Sequence, residues 1–138
     1  MEIELRRGTA EDLARIAEIQ AGAPEASQWD VREYLQYDLT VAVCDGTVAG
    51  FALARRVAED ESEVLNLAVD PLFRRRGIGR RLILEIIRGC PGSLWLEVRE
   101  SNLTARKLYK SLNFRETGRR AAYYSHYNEG AIVMNRLS

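Results

Sequence analysis

The stretch LNLAVDPLFRRRGIGRRLI, residues 65–83, organises the interpretation of the whole sequence. It begins inside EVLNLAV (63–69), an apolar run typical of a strand, which Asp70-Pro71 brings to an end. From position 77 to about 89, apolar residues recur at the spacing of one helical face, namely Ile78, Leu82, Ile83, Ile86 and Ile87. The segment 74–80, rich in arginine and glycine, therefore joins a predicted strand to the start of a predicted helix.

The composition of segment 74–80 is suited to holding phosphate. The first turn of a helix has unsatisfied N–H groups and a partial positive charge, which together favour an anion. Gly77 and Gly79 carry no side chain, so an anion can approach the amides of residues 75–80 closely. Arginines at positions 74, 75, 76 and 80 add positive charge. The loop alone is also compatible with a solvated arginine cluster at a helix start.

Other phosphate-binding motifs fit this loop poorly. A Walker A loop has Lys-Ser/Thr after its second glycine, where this chain has Arg80-Arg81, and a dinucleotide fingerprint has a third glycine where this chain has Leu82. A nucleic-acid patch is disfavoured because the basic run is short and split by glycine. The chain also balances 20 basic against 20 acidic residues, whereas proteins that grip polyanions usually carry excess positive charge.

The chain as a whole has the size and composition of one domain. Its 138 residues, 46% hydrophobic and 29% charged, predict a single globular domain over 1–138. The two cysteines, Cys44 and Cys90, are too few for a disulfide framework, and one histidine with no partner at ligand spacing predicts no metal site. Neither a signal peptide nor a membrane-spanning run is visible, so a cytoplasmic location is expected.

The remaining elements follow from local patterns. Thr9 is expected to cap a helix to about residue 21, and Asp45-Gly46 predicts the tight turn of a hairpin over 40–57. The other predicted elements are strands at 2–7, 93–98, 114–117 and 131–137, a short helix over 30–37 begun by Asp30, and a helix capped by Asn102 or Ser101. The order β-α-α-β-β-β-α-β-α-β-β predicts an α/β (α+β) fold. We expect a mixed, mostly antiparallel sheet of about seven strands with helices on both faces.

Together with LWLEVRESNLTARKLYKSLNF at 94–114, the opening stretch resembles the GCN5-related N-acetyltransferase (GNAT) family, and most of all its RimI branch. Residues 74–79, Arg-Arg-Arg-Gly-Ile-Gly, fit the acyl-CoA loop of that family, Arg/Gln-x-x-Gly-x-Gly/Ala. The similarity is dense over about 63–114, while the N-terminal half agrees in the order of its elements. Asn113 departs from the family pattern, which has glycine there to form a left-handed helix end; asparagine is the next best residue.

The resemblance implies acetyl-CoA as cosubstrate, and no metal. The loop would hold the pyrophosphate through Arg74, Arg75, Arg76, Gly77, Ile78, Gly79 and Arg80. The backbone of Leu67, Ala68 and Val69 would pair with the pantetheine arm like an added strand, with the Val69 N–H as the expected oxyanion donor. Asn102 would touch the arm of coenzyme A in addition to capping its helix, and Phe114 would pack or line the pantetheine channel.

Acetyl transfer to an amine needs a base, since an α-amino group with a pKa of about 7.7–8.0 is largely protonated at neutral pH. The resemblance makes Glu97 the candidate base, acting directly or through water, and Tyr109 the candidate acid near the thioester sulfur. From the residues alone, Glu97 could instead be a surface glutamate paired with Arg99 or with an arginine of another strand. Tyr109 could be an aromatic side chain packed at a helix edge.

The acceptor side is expected to involve Trp29, between the first two helices, and Tyr123 and Tyr124 near the last strands. These aromatics could equally be core or loop residues. The resemblance implies direct acetylation of a protein N-terminus, that of an alanine in a small-subunit ribosomal protein. The alternatives are a lysine side chain, a polyamine or another small amine as acceptor, or a coenzyme A-binding module without catalysis. We expect a monomer or weak dimer that engages neither nucleic acid nor membrane.

Overall fold

The computed structural model of the chain describes residues 2–124 and 129–137, with the backbone alone for residues 122–124. The strands are β1 Ile3–Arg7, β2 Asp38–Cys44, β3 Thr47–Ala58, β4 Glu61–Val69, β5 Ser93–Arg99, β6 Arg115–Tyr124 and β7 Glu129–Arg136. The α-helices are α1 Leu13–Ala21, α2 Ile78–Arg88 and α3 Leu103–Ser111. Short 3-10 helices span Ala10–Asp12, Val31–Gln36 and Pro71–Phe73. The element order predicted from the sequence is confirmed.

The strands form a seven-stranded sheet in the order β1-β2-β3-β4-β5-β7-β6. The β1–β2, β2–β3, β5–β7 and β6–β7 pairs are antiparallel, and the β4–β5 pair is parallel. The predicted mixed, mostly antiparallel sheet is therefore confirmed.

Two elements differ in detail from the prediction. The short helix expected over 30–37 is a 3-10 helix, Val31–Gln36, begun by the Asp30 carboxylate, which accepts the Arg32 N–H at 3.0 Å. Six residues are too few for an α-helix to gain many i→i−4 bonds. Strand β6 reaches Tyr124 instead of ending at 117, because it pairs with β7 as far as the Tyr124–Glu129 pair.

The chain divides into two compact units, Met1–Arg55 with Leu65–Gly89 and Arg56–Val64 with Cys90–Ser138. In the first unit, helices cover both faces of the sheet, as predicted. Ile16 and Ile19 of α1 pack in a core with Phe51 of β3, and Ile78 and Leu82 of α2 pack in a second core. Alternate residues of β2 and β3 enter the two cores. Burying each such side chain stabilises the fold by about 1.5–3 kcal/mol.

The β2–β3 hairpin has the predicted turn and an additional irregularity. Asp45 (φ +49°) and Gly46 (φ +81°) both adopt the left-handed backbone of a two-residue hairpin turn. Val43 pairs with Val48, but Ala42 pairs with Gly50, so Ala49 is an extra residue, a β-bulge, in β3. The Ala49 carbonyl accepts the N–H of Asp70, the residue that follows β4, at 2.8 Å.

In the second unit, helix α3 ends in the conformation predicted for Asn113. This residue has φ +72°, and its N–H donates to the Lys110 carbonyl at 3.1 Å. The next amide, of Phe114, donates to the Tyr109 carbonyl at 3.0 Å. This pair of bonds is a Schellman motif, which normally places glycine at the left-handed position. The end of α3 thereby directs the chain into β6.

Candidate active site

The end of β4 is held in place by Asp70, the residue that directly follows the strand. The Asp70 carboxylate accepts the Leu72 N–H at 2.9 Å and forms an ion pair with Arg15 of α1. Arg15 also donates to the Val48 carbonyl at 2.9 Å. The Leu72 N–H and the Arg15 guanidinium together hold the pKa of Asp70 below its usual value. Val69 and the start of the following loop are therefore anchored to both β3 and α1.

The loop that follows has two residues in the left-handed region, Arg75 (φ +63°) and Gly77 (φ +76°). Gly77 is the N-cap of α2, and its carbonyl accepts the Arg81 N–H at 3.0 Å as the first bond of that helix. The amides at 78–80 precede this first bond, so they are the donors that a helix leaves unsatisfied at its start. A Cβ at Gly77 would meet no atom within 4 Å, so space lies open beside these amides.

The predicted phosphate-binding arginines have different surroundings. Arg74 forms an ion pair with Glu25 at 2.7 Å and donates from Nε to the Val69 carbonyl at 3.3 Å. The guanidinium of Arg76 lies over the Phe73 ring, 5.3 Å from its centroid. All four arginines, Arg74, Arg75, Arg76 and Arg80, are exposed. The structure thus brings Arg74 to the end of β4 and surrounds the start of α2 with positive charge.

The predicted pantetheine strand, Leu67–Val69, lies beyond the short parallel pairing of β4 with β5. That register joins Glu61, Ser62 and Glu63 to Ser93, Leu94 and Trp95. Ala68 is buried, whereas Leu67 and Val69 are partly exposed. Strand β4 thus continues from Glu63, the last residue in that register, to Val69.

Glu97 lies on the half-exposed side of β5. Along this strand Leu94, Leu96 and Val98 are buried, and the alternate residues are partly exposed, as the sequence predicted. The Glu97 side chain is 13% exposed, and its Oε1 lies 2.7 Å from Nη2 of Arg120. The ion pair with an arginine of another strand, left open from the sequence, is therefore present.

Arg120 was not identified from the sequence as a functional residue. Glu97 pairs with Val133 of β7, and Val133 pairs in turn with Gly118 of β6. Arg120, two residues along β6, reaches across β7 to Glu97. A strand predicted only to residue 117 could not reveal this contact. The alternating exposure of β5, with arginines spaced along the last part of the chain, is the signal that could have found it.

Tyr109 is buried on the inner face of α3. Its ring packs on Phe114 with a centroid separation of 5.5 Å and an interplanar angle of 55°. Burial raises the pKa of Tyr109 well above its ordinary value, so the phenol stays protonated throughout the physiological range. The described residues provide no hydrogen-bond acceptor for its hydroxyl. A neutral phenol in these surroundings can donate to a bound group.

The remaining predicted residues divide into three cases. Asn102 is the N-cap of α3, where its Oδ1 accepts the Ala105 N–H at 3.2 Å. Trp29 is 46% exposed, so it is not a core tryptophan, and its carbonyl accepts from Gln20 at 2.6 Å. The side chains of Tyr123 and Tyr124 lie outside the described part of the structure.

Comparison with known proteins identifies the family of the chain. The acetyltransferase (GNAT) family model matches residues 9–114, more than half of the chain. The chain belongs to the GNAT family. This acetyltransferase is 44% identical over 108 residues to ribosomal protein bS18-alanine N-acetyltransferase of Salmonella typhimurium, covering 73% of the chain and 70% of the relative. It is 43% identical over 108 residues to the Escherichia coli protein of the same name, with the same coverage.

Solved structures agree with the family assignment. The crystal structure of the ribosomal-protein-S18-alanine N-acetyltransferase from Escherichia coli superposes with a TM-score of 0.85 at 31% identity, covering 99% of this chain and 94% of that one. The GNAT fold is therefore shown, and the chain is an N-acetyltransferase that uses acetyl-CoA. In the described part of the chain, no helix combines the length and apolarity needed to cross a membrane.

Proposed function

We propose that this acetyltransferase transfers the acetyl group of acetyl-CoA directly to a protein N-terminus, that of an alanine in a small-subunit ribosomal protein. The observation that carries this acceptor is the 44% identity to the Salmonella typhimurium bS18-alanine enzyme. The setting of Glu97 and Tyr109 supports the chemistry. We further propose one domain over 1–138, a cytoplasmic location, and a monomer or weak dimer that engages no nucleic acid.

The first unit supplies the residues that would hold acetyl-CoA. The amides at the start of α2, beside the open space at Gly77, fit a pyrophosphate, and arginines 74, 75, 76 and 80 add positive charge. The backbone of Leu67, Ala68 and Val69 pairs with the pantetheine arm, and the anchored Val69 offers its N–H to the thioester oxygen. Ile78 and Gly79 form the first turn of α2, and Asn102 is proposed to contact the arm of coenzyme A.

Glu97 is the proposed base. Its carboxylate, paired with Arg120, accepts a proton from the α-ammonium group directly or through a water. The free amine then attacks the thioester carbonyl, so that a C–N bond forms as the C–S bond breaks. The nitrogen gives up its second proton as it becomes an amide, and the departing sulfur receives one proton to leave as the thiol of coenzyme A. Because the α-amino pKa is about 7.7–8.0, one carboxylate is a sufficient base at neutral pH. A lysine side chain, with a pKa of about 10.4, makes a harder substrate.

Tyr109 is the proposed acid. Its protonated hydroxyl donates to the departing sulfur, which stabilises the thiolate as the C–S bond breaks. The tilted contact with the Phe114 ring restrains the Tyr109 ring, so the hydroxyl does not need to be ordered during the reaction. On the acceptor side, the half-exposed Trp29 contacts the incoming peptide, and Tyr123 and Tyr124 are proposed to clasp its N-terminus.

The test is a panel of peptides incubated with the enzyme and acetyl-CoA, with mass spectrometry to locate the acetyl group. The panel contains N-termini that begin with Ala, Ser or Met, and one blocked peptide with a free lysine. We expect acetylation of the free Ala N-terminus, with the N-terminal peptide of the ribosomal protein as the best substrate. Acetylation of the lysine would agree with an acetyl-CoA-dependent enzyme but would contradict the assignment of an N-terminal amine as acceptor. Tight acetyl-CoA binding without transfer to any peptide would indicate a module that lacks this catalysis.

A further inference from the structure

A buried polar cluster lies in the first unit, beside the residues assigned to the acceptor. Its members are the side chains of Gln20 (α1), Tyr34 (the second 3-10 helix) and Asn66 (β4), which we call the Gln20 cluster. Their residues are only 5%, 1% and 6% exposed. The Tyr34 hydroxyl donates to Gln20 Oε1, and Asn66 Nδ2 donates to the same oxygen at 3.1 Å. Three elements of the unit therefore meet at one amide oxygen.

The cluster holds the irregular segment Ala23–Trp29, here called the acceptor segment. Asn66 Oδ1 accepts the Ser27 N–H at 3.1 Å, and Asn66 Nδ2 donates to the Ser27 carbonyl at 3.0 Å. Gln20 Nε2 donates to the Trp29 carbonyl at 2.6 Å. Within the segment, Gln28 Nε2 donates to the carbonyls of Gln20, Ala23 and Ala26. A loop without regular backbone pairing is thus fixed at both Ser27 and Trp29.

The same asparagine also reaches the proposed thioester strand. Asn66 Oδ1 accepts the N–H of Leu67 at 3.0 Å, in addition to the Ser27 N–H. Both lone pairs of one oxygen are therefore used, one on the acceptor segment and one on the first residue of the strand Leu67–Val69. Asn66 is thus a buried side chain that ties these two stretches together, whereas the exposed Arg74 links Glu25 to the Val69 carbonyl at the surface.

We propose that Asn66 and Gln20 are positioning residues, which set the acceptor segment at a fixed distance from the strand that carries the thioester. They act through Ser27, Trp29 and Leu67 and touch neither substrate. This inference rests on the proposed function, which places the acceptor amine at this segment and acetyl-CoA at Leu67–Val69. Attack on a carbonyl is highly sensitive to the position of the amine, and a misplacement of about 1 Å can cost roughly 100-fold in rate.

The choice of residues supports positioning over simple core filling. An apolar pair could fill the space between α1 and β4, but it could not bind the backbone of an irregular loop. A buried amide is tolerated only when its donors and acceptors are satisfied, and each satisfied bond fixes a direction as well as a distance. The ion pair of Glu25 with Arg74 adds a surface contact between the acceptor segment and the acyl-CoA loop, although exposed pairs of this kind contribute little stability.

The test uses the full chain with Asn66→Asp, which keeps the acceptor oxygen for Ser27 and Leu67 but removes the Nδ2 donors. Gln20→Met removes the bond to the Trp29 carbonyl at similar side-chain length. Ile19→Val, also buried in α1, is the matched control for lost stability. We expect kcat/KM for an Ala-initiated peptide to fall roughly tenfold in both cluster variants through a lower kcat, with the Kd of acetyl-CoA unchanged and no comparable change in the control.

A second readout does not depend on activity. In a Trp95→Phe background, Trp29 is the remaining tryptophan, and its fluorescence anisotropy reports how firmly the acceptor segment is held. We expect lower anisotropy in the two cluster variants than in Ile19→Val. An unchanged kcat for the peptide, or an equal fall in the control, overturns the positioning role. If the parent chain acetylates no peptide, the proposed function fails. In that case, unchanged anisotropy in the cluster variants would also overturn the positioning role of the Gln20 cluster. Lowered anisotropy would support that role independently of activity.

Discussion

Glu97 carries its charge in a side chain that is only 13% exposed and paired with Arg120. We predict that Glu97→Gln lowers kcat/KM by roughly 100- to 10,000-fold, because a positioned base is lost. The loss should be greatest below the α-amino pKa, where most of the peptide is protonated, and should shrink as the pH rises from 6 to 9. Initial rates across this range test the prediction. Weaker acetyl-CoA binding of matching size would refute the assignment of Glu97 as base.

Tyr109 offers a separate test, because its ring and its hydroxyl have different partners. Tyr109→Phe should keep the packing on Phe114 and the melting temperature, yet lower kcat by roughly 10- to 1,000-fold. The raised pKa keeps the phenol protonated, so the ratio of wild-type to variant rate should stay constant from pH 6 to 9. Single-turnover kinetics provide the measurement. A ratio that collapses within this range would show that the hydroxyl is not the acid.

At the scale of elements, the end of α3 depends on the left-handed backbone of Asn113 (φ +72°). We predict that Asn113→Ala lowers the free energy of unfolding by about 1 kcal/mol, because a Cβ is disfavoured in this conformation. Asn113→Gly, the matched variant, should be neutral or slightly stabilising. Urea unfolding of the three proteins decides this. Equal stability of the Ala and Gly variants would contradict the importance of the left-handed backbone.

The junction of β1 with the start of α1 predicts a response to acid. The Asp12 carboxylate accepts from both Arg6 nitrogens, at 2.8 and 2.9 Å, and from the Thr9 N–H at 2.8 Å. The Arg6 bond is the main reason that the pKa of Asp12 falls from 3.8 to about 2. Since the folded pKa is depressed, this stabilisation is present above about pH 4 and is lost as the pH falls towards 2.

Asp12→Asn should therefore cost about 2 kcal/mol at pH 6, where the wild-type carboxylate is ionised. The stability difference between the two proteins should narrow steadily below pH 4. Urea unfolding of both proteins at a series of pH values provides the test. A difference that stays constant down to pH 2 would show that the Arg6 contact does not depend on the Asp12 charge.

Elements governed by neighbouring residues were predictable from the sequence. The turn at Asp45-Gly46 and the helix end at Asn113 each follow from the few residues that tolerate a left-handed backbone. The Gln20 cluster was not predictable, because its members are separated by up to 46 residues. No local pattern distinguishes an exposed Gln20 from one that binds the Trp29 carbonyl.

At the scale of the whole molecule, binding of acetyl-CoA should stabilise the fold. A ligand at about 100 times its Kd adds about 2.7 kcal/mol, which raises the melting temperature of a chain of this length by roughly 8 °C. Gly77→Asn should reduce this shift, because asparagine accepts the left-handed backbone but places a side chain in the open space of the loop.

Gly46→Asn is the matched control for this experiment, since Gly46 is also left-handed and open but lies in the β2–β3 turn. It should retain the full shift in thermal melts with acetyl-CoA. An oligonucleotide at the same concentration should produce no shift. An equal shift with the oligonucleotide, or an undiminished shift in Gly77→Asn, would contradict the assignment of the loop to pyrophosphate.

The sheet as a whole shows which part of the site the sequence could not specify. Periodicity predicted the alternation along β5, and the resemblance supplied the role of Glu97. The partner of Glu97 depends on the strand order β5-β7-β6, which carries Arg120 across an intervening strand. Such neighbours are set by long-range pairing and not by local propensity, so they become visible only in three dimensions.

The bulge at Ala49 bears on how related chains can change in length. Ala49 and the Cβ position of Gly50 both face α2, while Val48 and Phe51 pack on the α1 side. Loss of Ala49 would therefore shorten the hairpin by one residue without inverting which side chains fill either core. The protein would forfeit the carbonyl that holds the Asp70 amide, and with it one restraint on the end of β4. In this hairpin, a one-residue deletion would leave both cores intact, and its first effect would be on the position of the proposed catalytic residues at the end of β4.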